Sequence, residues 1–468
     1  MKVLSLIFFI AGTLLVSHAA DREYKVFCHW DIESNNRMSL STFRLYSIDT
    51  QLCNHIVFGS ATSLDPKGSG ELSIINEELL VKNGLLEQIV NMKRDNIKTI
   101  LSIGGGKDQS NMFSKMAAEV KQRDKFYASL IKFLYKWEFN GIFIDWEYPM
   151  RDDRNNFANL LKELRVILHE HHFMIMVVVS ARLDAVTLAA YDIPQIAKNA
   201  DFMVLNTHDG HDPYSRQLNY NAPLYGNGSR SVERSVLHWV KHGKIPAKLL
   251  LGLPLFVHTY TLDELSNTMV GAASKGPGRQ HEYSSRPGFM TVGEFCLQAS
   301  KWEKKYDKLA EVPYAYGDDQ WASYENGRSL SAKLHLAMKH GLGGAMAWSI
   351  DADDFEGRCG ERFGLLRVII ALIGDPNTLT TQAPTTEGFG LCPQDGFFRH
   401  PWDCRLYHEC RHAQRTDYEC PVGDYFVEEL AQCQPSKQVK CNQNFVTWRP
   451  GDDGYNYHNL PLNLKIVQ

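Results

Sequence analysis

The sequence predicts an α/β protein: a (β/α)8 TIM barrel with a small α+β insertion between strands seven and eight, plus a small disulfide-rich β module. Three observations carry this. Eight short apolar runs alternate with longer amphipathic stretches up to about residue 373. The gap between the seventh and eighth runs is much the longest. Six of the 10 cysteines fall between Cys392 and Cys441. A chain of 468 residues, 44% hydrophobic and 22% charged, has room for this at roughly 100–200 residues per domain. That composition excludes a disordered or collagen-like chain. A net charge of −4 gives no reason to expect nucleic-acid binding.

The first twenty residues have Lys2, an apolar run from Val3 to Val16, and small residues at Ser17 to Ala20. This is the pattern of a secretory signal peptide over residues 1–20. The run is shorter than the ~20 residues that span a bilayer, so the expectation is a secreted, extracellular protein with no membrane attachment. Asn227-Gly228-Ser229 is an N-glycosylation sequon at Asn227.

The barrel is expected over residues 21–373. Its strand runs are YKVFCHW from Tyr24, HIVFGSA from His55, TILSIG from Thr99, GIFIDW from Gly141, MIMVVVS from Met174, DFMVLN from Asp201, LLLGLP from Leu249 and GAMAWS from Gly344. Near-continuous apolar strands imply a parallel sheet buried on both faces, and eight such units close into a barrel. Between them lie helix-like stretches such as NEELLVKNGLLEQIVNMKRD and RNNFANLLKELRVILHEHH. In the second, Phe157, Leu160, Leu161, Leu164 and Leu168 recur at helical spacing. The insertion is expected over about residues 256–335. Residues 374–390 are rich in Thr, Pro and Gly and form a linker. Residues 391–442 form the Cys-rich module, and the tail 443–468 has no assignable pattern.

The fourth strand carries the chemistry. Alternation sends Gly141, Phe143, Asp145 and Glu147 to one face and Ile142, Ile144 and Trp146 to the other. The first face lifts two carboxylates to the C-terminal end of the barrel, where such folds hold their active sites. Charges at the end of an apolar strand are costly unless they have work to do.

FNGIFIDWEYP, from Phe139 to Pro149, resembles the DGxDxDWEYP signature of family 18 glycoside hydrolases, the chitinases and chitinase-like lectins. LSIGGG matches the family's SxGG through Ser102, Gly104 and Gly105. LGLP matches strand seven, and GGAMAWSIDADDF matches strand eight. RPGFMTVGEFC and VPYAYGDDQW match the insertion. The resemblance implies that Glu147 is the acid/base and that Asp145 orients the substrate's 2-acetamido group. That group attacks the anomeric carbon, because this family is the substrate-assisted exception among retaining glycosidases. Trp348 would form the aromatic floor under the sugar, with Tyr148, Asp209, His208 and His258 as further substrate contacts. The partners implied are chitin or chitooligosaccharides, bound by a monomer with no cofactor and no metal.

Several positions depart from the family pattern. Asn140 and Phe143 replace the first two aspartates of the signature. In the family an aspartate at 143 shares a proton or hydrogen bond with the one above it, and a phenyl ring cannot. Losing a partner of a buried charge costs roughly 1.5–3 kcal/mol, or on the order of 10- to 100-fold in rate. His208 replaces the tyrosine of MxYD, His258 the arginine of YGR, His29 a tyrosine on strand one, and Gly106 an aromatic platform. Such histidines would make the cleft pH-dependent near neutrality. The expectation is a chitin-binding, chitinase-like protein with weak or residual hydrolysis, the alternative being a fully competent endochitinase.

A module this small needs disulfides in place of a core, each contributing about 2–4 kcal/mol. Its spacing alone does not choose among the pairings. CPQDGFFRHPWDCRLYHEC, CPVGDYF and CQPSKQVKC resemble the peritrophin-type chitin-binding domain of invertebrates. That resemblance implies Cys392–Cys410, Cys404–Cys441 and Cys420–Cys433, leaving Cys28–Cys53 and Cys296–Cys359 for the barrel. Trp402, Tyr407, Tyr425 and Phe426 are candidates to stack on sugar rings, with about half of them expected to fill the small core instead.

Overall fold

The computed structural model describes residues 24–38, 41–92, 97–106, 109–208, 214–226 and 231–374, and in the C-terminal module 396–399, 406–411, 414–421, 424–427, 430–438 and 465–466. The signal-like leader, the sequon at Asn227 and most of the linker lie outside the described residues.

Eight strands form a closed parallel barrel: β1 (Lys25–Asp31), β2 (His55–Leu64), β3 (Lys98–Gly104), β4 (Gly141–Asp145), β5 (Met174–Ser180), β6 (Phe202–Asn206), β7 (Leu249–Pro254) and β8 (Gly344–Trp348). Each pairs in parallel with the next, and β1 pairs with both β2 and β8 to close the ring. The barrel interior is filled by Phe27, Val57, Ile100, Phe143, Met176, Val178, Val204, Leu250 and Met346, so that every strand contributes. The alternate residues, among them Ile142, Ile144 and Trp146, pack outward against the helices. This division follows from the two-residue period of a strand.

Arg154–His169 is one helix, and all five apolar residues of its stripe are buried. The stretch from residue 76 to 95 is not a single helix. It makes a turn over Glu78–Lys82 and starts a helix only at Leu85–Met92. Gly84 between them has φ 71°, a left-handed conformation that breaks the helix and that glycine adopts without steric cost.

The insertion is an antiparallel sheet of Ser274–Pro277, Phe256–Leu262, Gln320–Ser323, Val312–Gly317 and Glu303–Asp307, with Phe289–Thr291 also on Phe256–Leu262. The sheet ends at Ser323. The next helix, Gly327–Lys339, packs on β7 and β8, so it belongs to the barrel although the sequence reading placed most of it in the insertion. Its Lys333 is fully buried and held by Glu325, both carboxylate oxygens lying 2.7 Å from Nζ.

Cys28–Cys53 ties β1 to the start of β2, and Cys296–Cys359 ties the insertion's helix to the loop after β8. In the module, strands Gly396–Arg399, Leu406–Arg411 and Gln414–Glu419 form an antiparallel sheet, and Asp424–Val427 pairs with Gln432–Pro435. Cys420–Cys433 joins them. The other two module pairings lie outside the described residues.

Candidate active site

Two inward-facing rows meet at the C-terminal mouth. On β4 they are Phe143 and Asp145, with Glu147 just beyond the strand. On β1 they are Phe27, His29 and Asp31. Gly104 stands opposite Asp145 in the ladder, and a Cβ there would fall 2.2 Å from the Asp145 carbonyl oxygen. Gly105 leaves room for the carboxylate, since a Cβ would stand 3.0 Å from Asp145 Oδ2. Both glycines have positive φ, and together they let β3 run against the end of β4.

Asp145 is 3% exposed. Among the described residues its Oδ1 has no hydrogen-bond partner. Burial, with the Asp31 charge as the lesser cause, pushes its carboxyl up to about 7. Glu147 is half-buried, and Asn206 Nδ2 at the end of β6 lies 3.4 Å from its Oε1. The same amide donates to the Tyr148 hydroxyl at 2.8 Å. Asn206 therefore bridges two residues that the sequence reading singled out.

Phe143 sits under these carboxylates as a wall. It meets Trp348 edge-on at 5.7 Å between centroids and His29 at 6.4 Å. Ser102, its partner in the β3–β4 ladder, has a fully buried Oγ with no partner among the described residues. His29 stacks on Trp348, and both its ring nitrogens are likewise unsatisfied. It fits because residue 59 is glycine; a Cβ there would fall 2.3 Å from His29 Cε1.

His208 stands edge-on to Trp348 and to Phe256. His258 stacks on Tyr260 and lies 3.4 Å from Asn221 Oδ1. These histidines were expected to make the cleft titrate near neutrality. For two of them the structure gives the opposite. Burial lowers His29 to about 4 and His208 to about 3, with the charges of His29 and His258 lowering His208 further. Both rings are neutral at physiological pH: burial outweighs the opposing Asp31 charge at His29, and at His208 every cause lowers.

Trp348 thus lies at the mouth among His29, Phe143 and His208. Asp209 and Trp402 lie outside the described residues. In the module, Tyr407 and Phe426 stack in parallel at 4.0 Å and are both buried, so they are core rather than free sugar platforms. Tyr425 is half-buried on the same strand as Phe426. The sequence reading missed Asp31, which the alternation Phe27, His29, Asp31 on strand one could have flagged. Asn206 closes the sixth strand run, where apolar periodicity gives it no role. No group of three or more metal-ligating side chains occurs among the described residues.

A closed (β/α)8 barrel with a carboxylate pair at the C-terminal end of β4, beside a tryptophan at the mouth, has the arrangement of a glycoside hydrolase fold. The model of the glycosyl hydrolases family 18 matches residues 25–353, and the chain belongs to that family. A chitin-binding peritrophin-A domain follows at residues 392–441. The chain is 29% identical to probable chitinase 10 of Drosophila melanogaster over 77% of its own length, but it spans only 16% of that protein. The group IV chitinase of Ostrinia furnacalis is 31% identical, with a TM-score of 0.71 over 75% of this chain and 99% of that one. Human YKL-39, described as a pseudo-chitinase with retained chitooligosaccharide binding, is 28% identical, with a TM-score of 0.70 over 75% and 100%.

Proposed function

We propose that the protein is a secreted chitin-binding member of family 18 that hydrolyses β-1,4-linked N-acetylglucosamine polymers weakly, through Glu147. The leader-like first twenty residues and the disulfides support secretion. The observation that carries the weak turnover is Phe143 beneath Asp145. Glu147 protonates the leaving oxygen while the substrate's own acetamido oxygen closes on the anomeric carbon. Asp145 must hold the acetamido N–H and face the cation that forms. Its carboxyl, pushed up to about 7 with Phe143 below it, is partly neutral near pH 7. Each cycle therefore begins from a fraction of the charged form.

The second reading, a competent endochitinase, draws on Asn206, which keeps Glu147 and Tyr148 in register. Hydrolysis of a fluorogenic chitotriose by the wild type, with Glu147→Gln as the blank, tests both. Turnover slightly above the blank, with retention on chitin beads, is the expected result. Turnover equal to the blank makes the protein a binder alone, and turnover in the range of active family members restores the second reading.

A further inference from the structure

β1 ends in a carboxylate on its inner face. Asp31 follows Phe27 and His29 at alternate positions on one face of the strand, and its charge is the lesser cause of the raised Asp145 carboxyl. Two residues on, Glu33 lies in the short 3-10 turn Ile32–Asn36, and its backbone N–H donates to Asp31 Oδ1 at 3.1 Å. Among the described residues neither carboxylate has an ion-pair partner. Arg37, the nearest cation in sequence, is taken by Asp351: Nη2 meets Oδ2 at 2.7 Å and Nη1 donates to the Asp351 carbonyl at 3.0 Å. Asp351 Oδ1 also accepts the Asp31 N–H at 2.9 Å, so this buried pair fixes the end of β1 without neutralising it. Arg286 acts on Glu33 at longer range and lies over the Phe289 ring. The histidine beside Asp31 is neutral. A second, independent sign of a missing ligand is His29 itself: it is 5% exposed, both ring nitrogens are unsatisfied, and it lies in the same inward row.

We propose that the mouth of this cleft takes a protonated glucosamine unit at Asp31 and Glu33, so that the preferred ligand is partially deacetylated chitin. The inference rests on the chitooligosaccharide reading above and deepens it. An ammonium is what two unpaired carboxylates at a cleft lip can bind, because it restores their charge balance with strong charge-assisted hydrogen bonds. The sugar that reacts must keep its acetamido group, since that group is the nucleophile. The cationic unit therefore occupies a different position along the chain. The attraction between partly exposed charges is screened by salt, which separates it from sugar stacking.

The test is titration calorimetry on the full chain carrying Glu147→Gln, so that no ligand is consumed. The probes are fully acetylated chitotetraose and its singly deacetylated isomers, with the glucosamine at each position in turn. At low salt, at least one isomer is expected to bind about 10-fold more tightly than the acetylated tetramer, about 1.4 kcal/mol. That ratio should fall toward one in high salt and in the Asp31→Asn/Glu33→Gln double variant, with thermal unfolding confirming that the variant is folded. Should the double variant not fold, Glu33→Gln alone, on the exposed turn, must still reduce the ratio. Acetylated tetramer binding as tightly as every isomer would overturn this inference alone, as would a ratio that survives the substitutions. Failure of every tetramer to bind would overturn the oligosaccharide reading beneath it.

Discussion

His29 lies flat against Trp348, with ring centroids 4.6 Å apart and planes 15° from parallel. The contact ties the first strand to the eighth, which are also paired at these two residues. It sets the tilt of the Trp348 ring at the cleft mouth, and it buries an imidazole whose nitrogens find no partner among the described residues. His29→Phe keeps the stack and removes that polar cost. The variant should be more stable than wild type by about 1 kcal/mol at neutral pH, as read from denaturant midpoints.

His29 and Asp145 pull stability in opposite directions with pH. His29 is lowered to about 4, so between pH 6.5 and 4 the unfolded chain binds a proton that the folded one does not. Its contribution therefore falls as pH falls through that window. Asp145 is raised to about 7, so from about pH 4 to 7 the folded chain holds the extra proton, and its contribution falls as pH rises. Relative to wild type, His29→Phe should gain stability as pH drops from 6.5 to 4. Asp145→Asn should gain as pH rises from 4 to 7. Chemical unfolding of the three proteins at pH 4.5 and 7.5 checks both signs, and the common contribution of His208 cancels in the comparison.

Phe143→Asp should raise turnover. The substitution places a carboxylate beside the unsatisfied Ser102 hydroxyl and below Asp145. A gain in kcat on the order of 10- to 100-fold is expected if this position limits the rate. Stability should fall, because a phenyl in contact with Trp348 and His29 is lost from the barrel core. Unchanged kcat would put the limit at His208 and His258 instead.

The barrel was legible because its strands are apolar on both faces, and the carboxylates because Asp145 and Glu147 stand two apart at the end of one strand. The consequences of burial were not. His29 and His208 look like neutral-pH switches in a sequence, but nothing in a string of letters says how deeply each ring is buried, and burial decides. Nor does it say that Tyr407 and Phe426 face each other rather than a sugar. The break at Gly84 was hidden for another reason: apolar spacing continues across it, while the left-handed backbone that interrupts the helix leaves no mark in the period. Asp31 was passed over because its partner across the barrel lies more than a hundred residues away.

Turnover should depend on the ionised form of Asp145. With its carboxyl at about 7, kcat/KM is expected to fall about 10-fold per pH unit below that value. A limb near pH 4 to 5 would mean that the free enzyme already holds Asp145 as an ordinary carboxylate, and would remove the partly neutral starting state as the cause of weak turnover. A pH–rate profile with soluble oligosaccharide, compared with Phe143→Asp, distinguishes the two.

The module offers a test that separates folding from binding. Phe426 is fully buried against Tyr407, so Phe426→Ala should cost about 3–5 kcal/mol, enough to unfold so small a unit. Tyr425 alternates with it on the strand and is half-buried, so part of it meets solvent. Tyr425→Ala should weaken retention on chitin beads several-fold while leaving the module's unfolding transition in place. If both variants lose retention only in proportion to unfolding, Tyr425 is packing, and the sugar contact must come from elsewhere on the module.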